Sequence, residues 1–173
     1  MSTPASLLLY GAAGSGHSYK VRSLLLLTAT PHRYQPIALD TPRAERPADF
    51  VAASHFGEVP VLVDGGTAYC QSNAILLHLA QRTRAFCGAA AEGSAILEWL
   101  FWETNRIGFS VPNLRFAMRW APQPGEVLTY LRARAIADLA TLNETLASSE
   151  FLVPSGPSIA DLACSAYLFW LPE

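Results

Sequence analysis

Cysteine is scarce in this chain of 173 residues: there are three, Cys70, Cys87 and Cys164, set far apart. Their spacing excludes a CxxC redox pair and a Cys/His cluster at zinc-binding spacing. An odd number also fits a reduced interior better than a secreted disulfide scaffold. Charge is sparse too, with 12 basic and 14 acidic residues and a formal net charge of -2. No basic surface for nucleic acid is implied. The longest aliphatic run, Leu24 to Leu27, falls far short of the roughly 20 apolar residues that span a bilayer. Met1 to Ala5 show neither the charged start nor the long apolar run of a secretory leader, so a soluble cytoplasmic protein is expected. Internal repeats and low-complexity tracts are absent. What the chain has in quantity is apolar residue, 51%, ample for a packed core.

The first half alternates short strands with helices. Leu7-Leu-Leu-Tyr10 reads as a buried strand, followed by a Gly/Ser-rich loop from Gly11 to Gly16. A helix is expected from about Ser18 to Thr28, with Ser18 as its N-cap. Val21, Leu24, Leu25 and Thr28 mark one face, Leu26 and Leu27 widen it, and Pro31 stops the helix. Tyr34 to Leu39 make a second strand, which favours a right-handed parallel crossover. After a polar stretch with one short helix, Pro60 opens a strand where a missing N–H is tolerated. Val61-Leu-Val63, the turn signal Asp64-Gly65 and Thr67 to Cys70 then form a hairpin. Ser72 sits where the N-cap of a helix over about 73–81 belongs. Such a helix start presents free N–H groups and partial positive charge, a natural seat for a ligand carboxylate.

Residues 83–93 shift to Gly and Ala and read as a linker between a domain over 1–82 and a helical domain over 94–173. In the second domain a helix from Ser94 to Val111 is expected to kink or break at Pro112. Leu128, Leu131, Ala135, Leu139, Leu142 and Leu146 step by three and four along another. Ser158-Ile-Ala-Asp161 is a capping-box start with Asp in place of Glu. Leu162, Ala163, Ala166, Tyr167, Phe169 and Trp170 cover nearly every face of that last helix, which implies burial under a further segment or a partner subunit.

Three stretches together resemble the glutathione S-transferases, serine-type and zeta/theta-like. They are Leu9-Tyr-Gly11 with Ser15-Gly-His-Ser-Tyr-Lys-Val-Arg22, Gly57-Glu-Val-Pro-Val-Leu62 through Gln71-Ser72, and Phe151-Leu-Val-Pro-Ser-Gly-Pro-Ser-Ile-Ala-Asp161. The resemblance implies an α/β thioredoxin-like N-terminal domain plus an all-α C-terminal domain. The family fold continues with more helices past the position of Glu173, which makes the C-terminal domain appear incomplete.

The implied activity is glutathione transfer to an electrophilic small molecule, a detoxification chemistry, in a homodimer that uses no metal, nucleic acid or membrane. Ser15 is then the catalytic residue. From spacing alone it is a loop serine satisfying local backbone groups. By resemblance it donates a hydrogen bond to the glutathione thiolate, favouring a form scarce at neutral pH for a thiol of pKa about 8.5. Val59, Gln71 and Ser72 are the implied glutathione-binding residues. A cis Val59–Pro60 bond would turn the Val59 backbone outward to pair with an extended peptide. His17, which stands where the zeta-like motif has Cys, is a further candidate as a base, and Cys70 lies beside the same site. A glutathione-dependent isomerase and a non-catalytic glutathione-binding or adaptor protein are the alternatives on this fold. A thiol–disulfide oxidoreductase on the same fold needs a low-pKa cysteine within Ser15–Ser18, and none is there.

Overall fold

The computed structural model describes residues 7–170. The Met1–Ala5 start and the Leu171-Pro-Glu173 end considered above lie outside the described residues. The chain divides into two compact units, Met1–Ala85 and Phe86–Glu173.

In the first unit the order is β1 (Leu7–Gly11), α1 (Gly16–Leu27), β2 (His32–Pro36), a 3₁₀ turn (Arg43–Glu45), α2 (Ala48–Ala53), β3 (Val61–Asp64), β4 (Thr67–Cys70) and α3 (Ser72–Thr83). The sheet runs β2-β1-β3-β4, with β1 parallel to β2 and antiparallel to β3, and β3 antiparallel to β4. This is the thioredoxin-like arrangement expected. Interior position explains why β1 is almost wholly apolar, whereas edge strand β2 carries His32, Arg33 and Gln35. The parallel ladder runs from Leu7 opposite His32 to Gly11 opposite Pro36, so the five residues of β1 set the limits of β2. That places the second strand two residues earlier than its β-forming residues indicate.

Asp64 pairs with Thr67 across a two-residue turn in which Gly65 and Gly66 both take positive φ, 56° and 87°. Only glycine does this without strain, and it fixes the hairpin register. Val21, Leu24 and Leu25 are the buried face of α1, but Leu26 and Leu27 are each 61% exposed and widen no core surface. Tyr10, Ile37, Phe50 and Val61 form one core cluster, with the Tyr10 and Phe50 rings 5.5 Å apart. The Tyr10 hydroxyl donates to Asp49 Oδ2 at 2.9 Å, pinning α2 to the sheet. Burial first, then this carboxylate, push the Tyr10 phenol up to about 12.

The second unit holds α4 (Gly93–Asn105), α5 (Ile107–Arg119), α6 (Gly125–Leu146) and α7 (Ile159–Ser165), with 3₁₀ turns at Ala90–Glu92 and Leu168–Trp170. The helix break falls at Arg106 (φ -117°, ψ -101°), not at Pro112, which lies inside α5. Restarting at Ile107 leaves Pro112 as the sixth residue of a new helix, where the one backbone bond it removes is to the carbonyl of Gly108. Two buried polar pairs tie the bundle: Ser110 Oγ donates to Asp138 (2.7 Å), and Tyr167 Oη donates to Glu103 (2.6 Å). Burial, then Glu103, hold the Tyr167 phenol far above its ordinary range. The capping box at Ser158 and Asp161 is formed. In the last stretch Ala163, Ala166 and Tyr167 are buried within the unit, while α7 ends at Ser165 and Phe169, in the turn after it, is 65% exposed, an apolar side chain of the kind expected to need a cover.

Candidate functional site

The chain leaves β4 and enters α3 through Gln71, whose backbone sits at φ 69° and ψ 116°. For a residue with a Cβ, a left-handed φ costs on the order of 1–3 kcal/mol and persists where the surroundings impose it, commonly at functional sites. Here it turns the strand end directly into the helix, so α3 begins at Ser72. Ser72 is therefore the first helical residue and not the N-cap; Gln71 holds the cap position, and its carbonyl accepts from Ile75 N–H at 3.0 Å. The Gln71 side chain makes no cap bond and donates from Nε2 to Glu58 Oε2 at 3.1 Å. Gln71 is exposed and Ser72 buried, so together they present an amide and a hydroxyl at the end of α3.

Beside that end lies a small cavity of about 60 Å³, lined by His17, Ser54, Phe56, Glu58, Val59, Pro60, Cys70, Gln71 and Ser72. Ser54 Oγ donates to the Glu58 carbonyl (3.0 Å), holding the loop before β3. The Val59–Pro60 bond is cis. Cys70 is half-buried, with Sγ 3.6 Å from the Ala53 carbonyl. His17 reaches the cavity from the first turn of α1, placing Nδ1 3.4 Å from Ser72 Oγ. Below the helix start, the fully buried Lys20 donates from Nζ to Asn73 Oδ1 at 2.7 Å, linking α1 to the first turn of α3.

Ser15 is the N-cap of α1: its Oγ accepts from Ser18 N–H at 3.2 Å, leaving the hydroxyl's own proton outside that bond. Ser18, expected at the cap, is inside the helix, and its Oγ accepts from Ala12 N–H at 3.1 Å. Ser15 lines a separate hollow of about 270 Å³ with Ala12, Gly14, Tyr19, Arg22 and Tyr34. Val59, Gln71 and Ser72 are thus brought together in one cavity, and Ser15 is not among its lining residues. Sequence reasoning gave no role to Glu58 or Ser54, although both flank the Val-Pro step that drew attention to the run.

A larger cavity, about 380 Å³, lies in the helical unit between α5 and α6, with Val111, Leu114, Met118, Ile136 and Leu139 in its walls. Size alone does not make it the better site. The smaller one joins a helix N-terminus, a strained backbone and convergent polar groups. Among the described residues no three His, Cys, Asp or Glu side chains cluster as a metal site, and no helix is long and apolar enough to cross a membrane.

A thioredoxin-like unit carrying such a helix-start cavity, followed in the chain by an all-α unit, defines an architectural class that known proteins share. Residues 9–85 match the sequence profile described as glutathione S-transferase, N-terminal domain. A glutathione S-transferase from Xanthobacter autotrophicus Py2 superposes with a TM-score of 0.83 at 33% identity, over 95% of this chain and 82% of that one. Glutathione S-transferase 3 of Zea mays is 26% identical over 166 residues, 91% of this chain and 74% of its own length. The disulfide-bond oxidoreductase YfcG of Escherichia coli K12 is 30% identical over 128 residues, 67% of this chain; the match spans 58% of its length. The chain belongs to the glutathione S-transferase family.

Proposed function

We propose that this protein binds glutathione at the start of α3 and activates its thiol for attack on an electrophilic small molecule. The observation that carries the reading is the left-handed Gln71 turn, which aims an amide, a hydroxyl and the α3 N-terminus at one small cavity. Gln71 and Ser72 take the γ-glutamyl carboxylate, and the Val59 backbone pairs with the cysteinyl part of the tripeptide. Ser15 donates a hydrogen bond from its hydroxyl to the sulfur and keeps its proton. The thiol proton passes to solvent and the thiolate forms a carbon–sulfur bond. In substitution a leaving group departs with the electron pair; in addition the carbon framework takes up a proton. A homodimer in the cytoplasm is the expected setting.

The YfcG match favours a second electrophile for the same thiolate, a disulfide sulfur. One glutathione then displaces a thiolate to give a mixed disulfide, and a second releases the other thiol as glutathione disulfide forms. No protein cysteine is needed for that sequence.

Retention on immobilised glutathione, followed by assays with an aryl halide and with a small dialkyl disulfide, tests the proposal. The expected result is retention together with saturable turnover of the aryl halide. Turnover of the disulfide alone selects the second reading. Retention without any turnover makes the protein a glutathione binder, and no retention with no turnover contradicts the proposal.

A further inference from the structure

Histidine is the side-chain type whose charge most readily changes near neutral pH, and His17 is the one imidazole among the residues that line the cavity. It enters from α1, while Ser72, which it contacts at 3.4 Å, belongs to α3. The direction of that contact depends on protonation. A neutral imidazole with its lone pair at Nδ1 accepts the Ser72 hydroxyl proton, which is then spent inside the protein. A protonated imidazole donates from Nδ1 to Ser72 Oγ, and the hydroxyl proton is released to a ligand. The added positive charge acts in the same sense, toward an anion at the α3 N-terminus. We propose that His17 is a specificity-determining residue that makes the Ser72 site hold a ligand carboxylate more tightly when its imidazole is protonated. This rests on reading the cavity as the seat of the γ-glutamyl carboxylate.

Other charged and titratable groups around His17 can be separated from it. Glu58, from the loop before β3, and Cys70, at the end of β4, share the cavity. Lys20, between α1 and α3, donates from Nζ to Asn73 Oδ1 and is not among the lining residues of the cavity. His55 is the competing imidazole: its ring meets Phe56, a residue lining the cavity, edge-on at 4.7 Å between centroids. Free glutathione holds constant charge between its carboxylates and its thiol, and a thiolate formed on binding raises affinity toward the alkaline end, opposite to the trend His17 imposes.

The test is calorimetric titration of glutathione from pH 5.5 to 7.5 into the parent, His17→Gln and His55→Gln, each shown to be folded by circular dichroism. Affinity in the parent and in His55→Gln should rise about tenfold toward the acid end, while His17→Gln should change less than twofold. By linkage, glutathione should also raise the proton affinity of His17 about tenfold, read from its imidazole NMR signal in the parent alone. That measurement decides the matter if His17→Gln does not fold. Glutathione binding with a flat pH profile, or a slope kept in His17→Gln, overturns the role of His17. Failure of the parent to bind at any pH overturns instead the glutathione reading beneath it.

Discussion

Ser15→Ala should react glutathione with an aryl halide about 10²–10³-fold more slowly near neutral pH, while binding glutathione almost as tightly as the parent. A serine hydroxyl is too weak an acid to serve as nucleophile or base at this position. As a donor it favours the thiolate over the thiol, and the start of α1 adds its field in the same direction. The structure adds a second consequence. Because Ser15 Oγ accepts from Ser18 N–H as the cap of α1, the variant should also lose about 1 kcal/mol of stability. The cap loss is too small to unfold the protein, and the rate loss is far larger than a cap alone explains. The diagnostic is a raised apparent pKa for the bound thiol, followed by thiolate absorbance. Ser18→Ala removes the acceptor of Ala12 N–H and should reduce stability with little change in thiolate formation. Full activity in folded Ser15→Ala would assign thiol activation elsewhere.

Asp161→Ala should destabilise the protein by about 3 kcal/mol. Three donors converge on this carboxylate, Ser158 N–H, Ser158 Oγ and Leu152 N–H, each at 2.8 Å. Removing it strands two backbone N–H groups and takes a negative charge from the first turn of α7. Urea unfolding should show a lower midpoint at an unchanged slope. Asp161→Asn keeps an acceptor and should cost less than half as much. A loss below about 0.5 kcal/mol in Asp161→Ala would mean that the box adds little to the helical unit.

Features written in adjacent residues were legible in the sequence, and those set by distant partners were not. Asp64-Gly-Gly66 specifies a hairpin by itself, and Ser158 with Asp161 specifies a helix start by itself. The start of α1 misleads because Gly16 is a poor helix former, which moves the apparent cap to Ser18. Only the bond from Ala12 N–H shows why Ser18 stays inside the helix. The apolar run Leu24 to Leu27 is uniform, so only packing decides that Leu24 and Leu25 are buried while the next two residues are exposed. Lys20 reads as a surface charge on an amphipathic helix. It is buried, and one of its partners is Asn73, 53 residues away. The candidate site was legible as a motif in Val59, Gln71 and Ser72. The left-handed turn at Gln71 and the approach of His17 to Ser72 were not, because neither has a local sequence signal.

Calorimetric titration of glutathione into the parent and into folded Gln71→Ala and Ser72→Ala tests the central claim most directly. Each variant removes one donor proposed for the γ-glutamyl carboxylate, and a hydrogen bond to a charged group contributes about 1.5–3 kcal/mol. Both variants should therefore bind glutathione at least about tenfold more weakly than the parent. Cysteinylglycine, which lacks the γ-glutamyl group, should bind all three proteins equally weakly. If both folded variants bind glutathione as tightly as the parent, the tripeptide is not held at the start of α3.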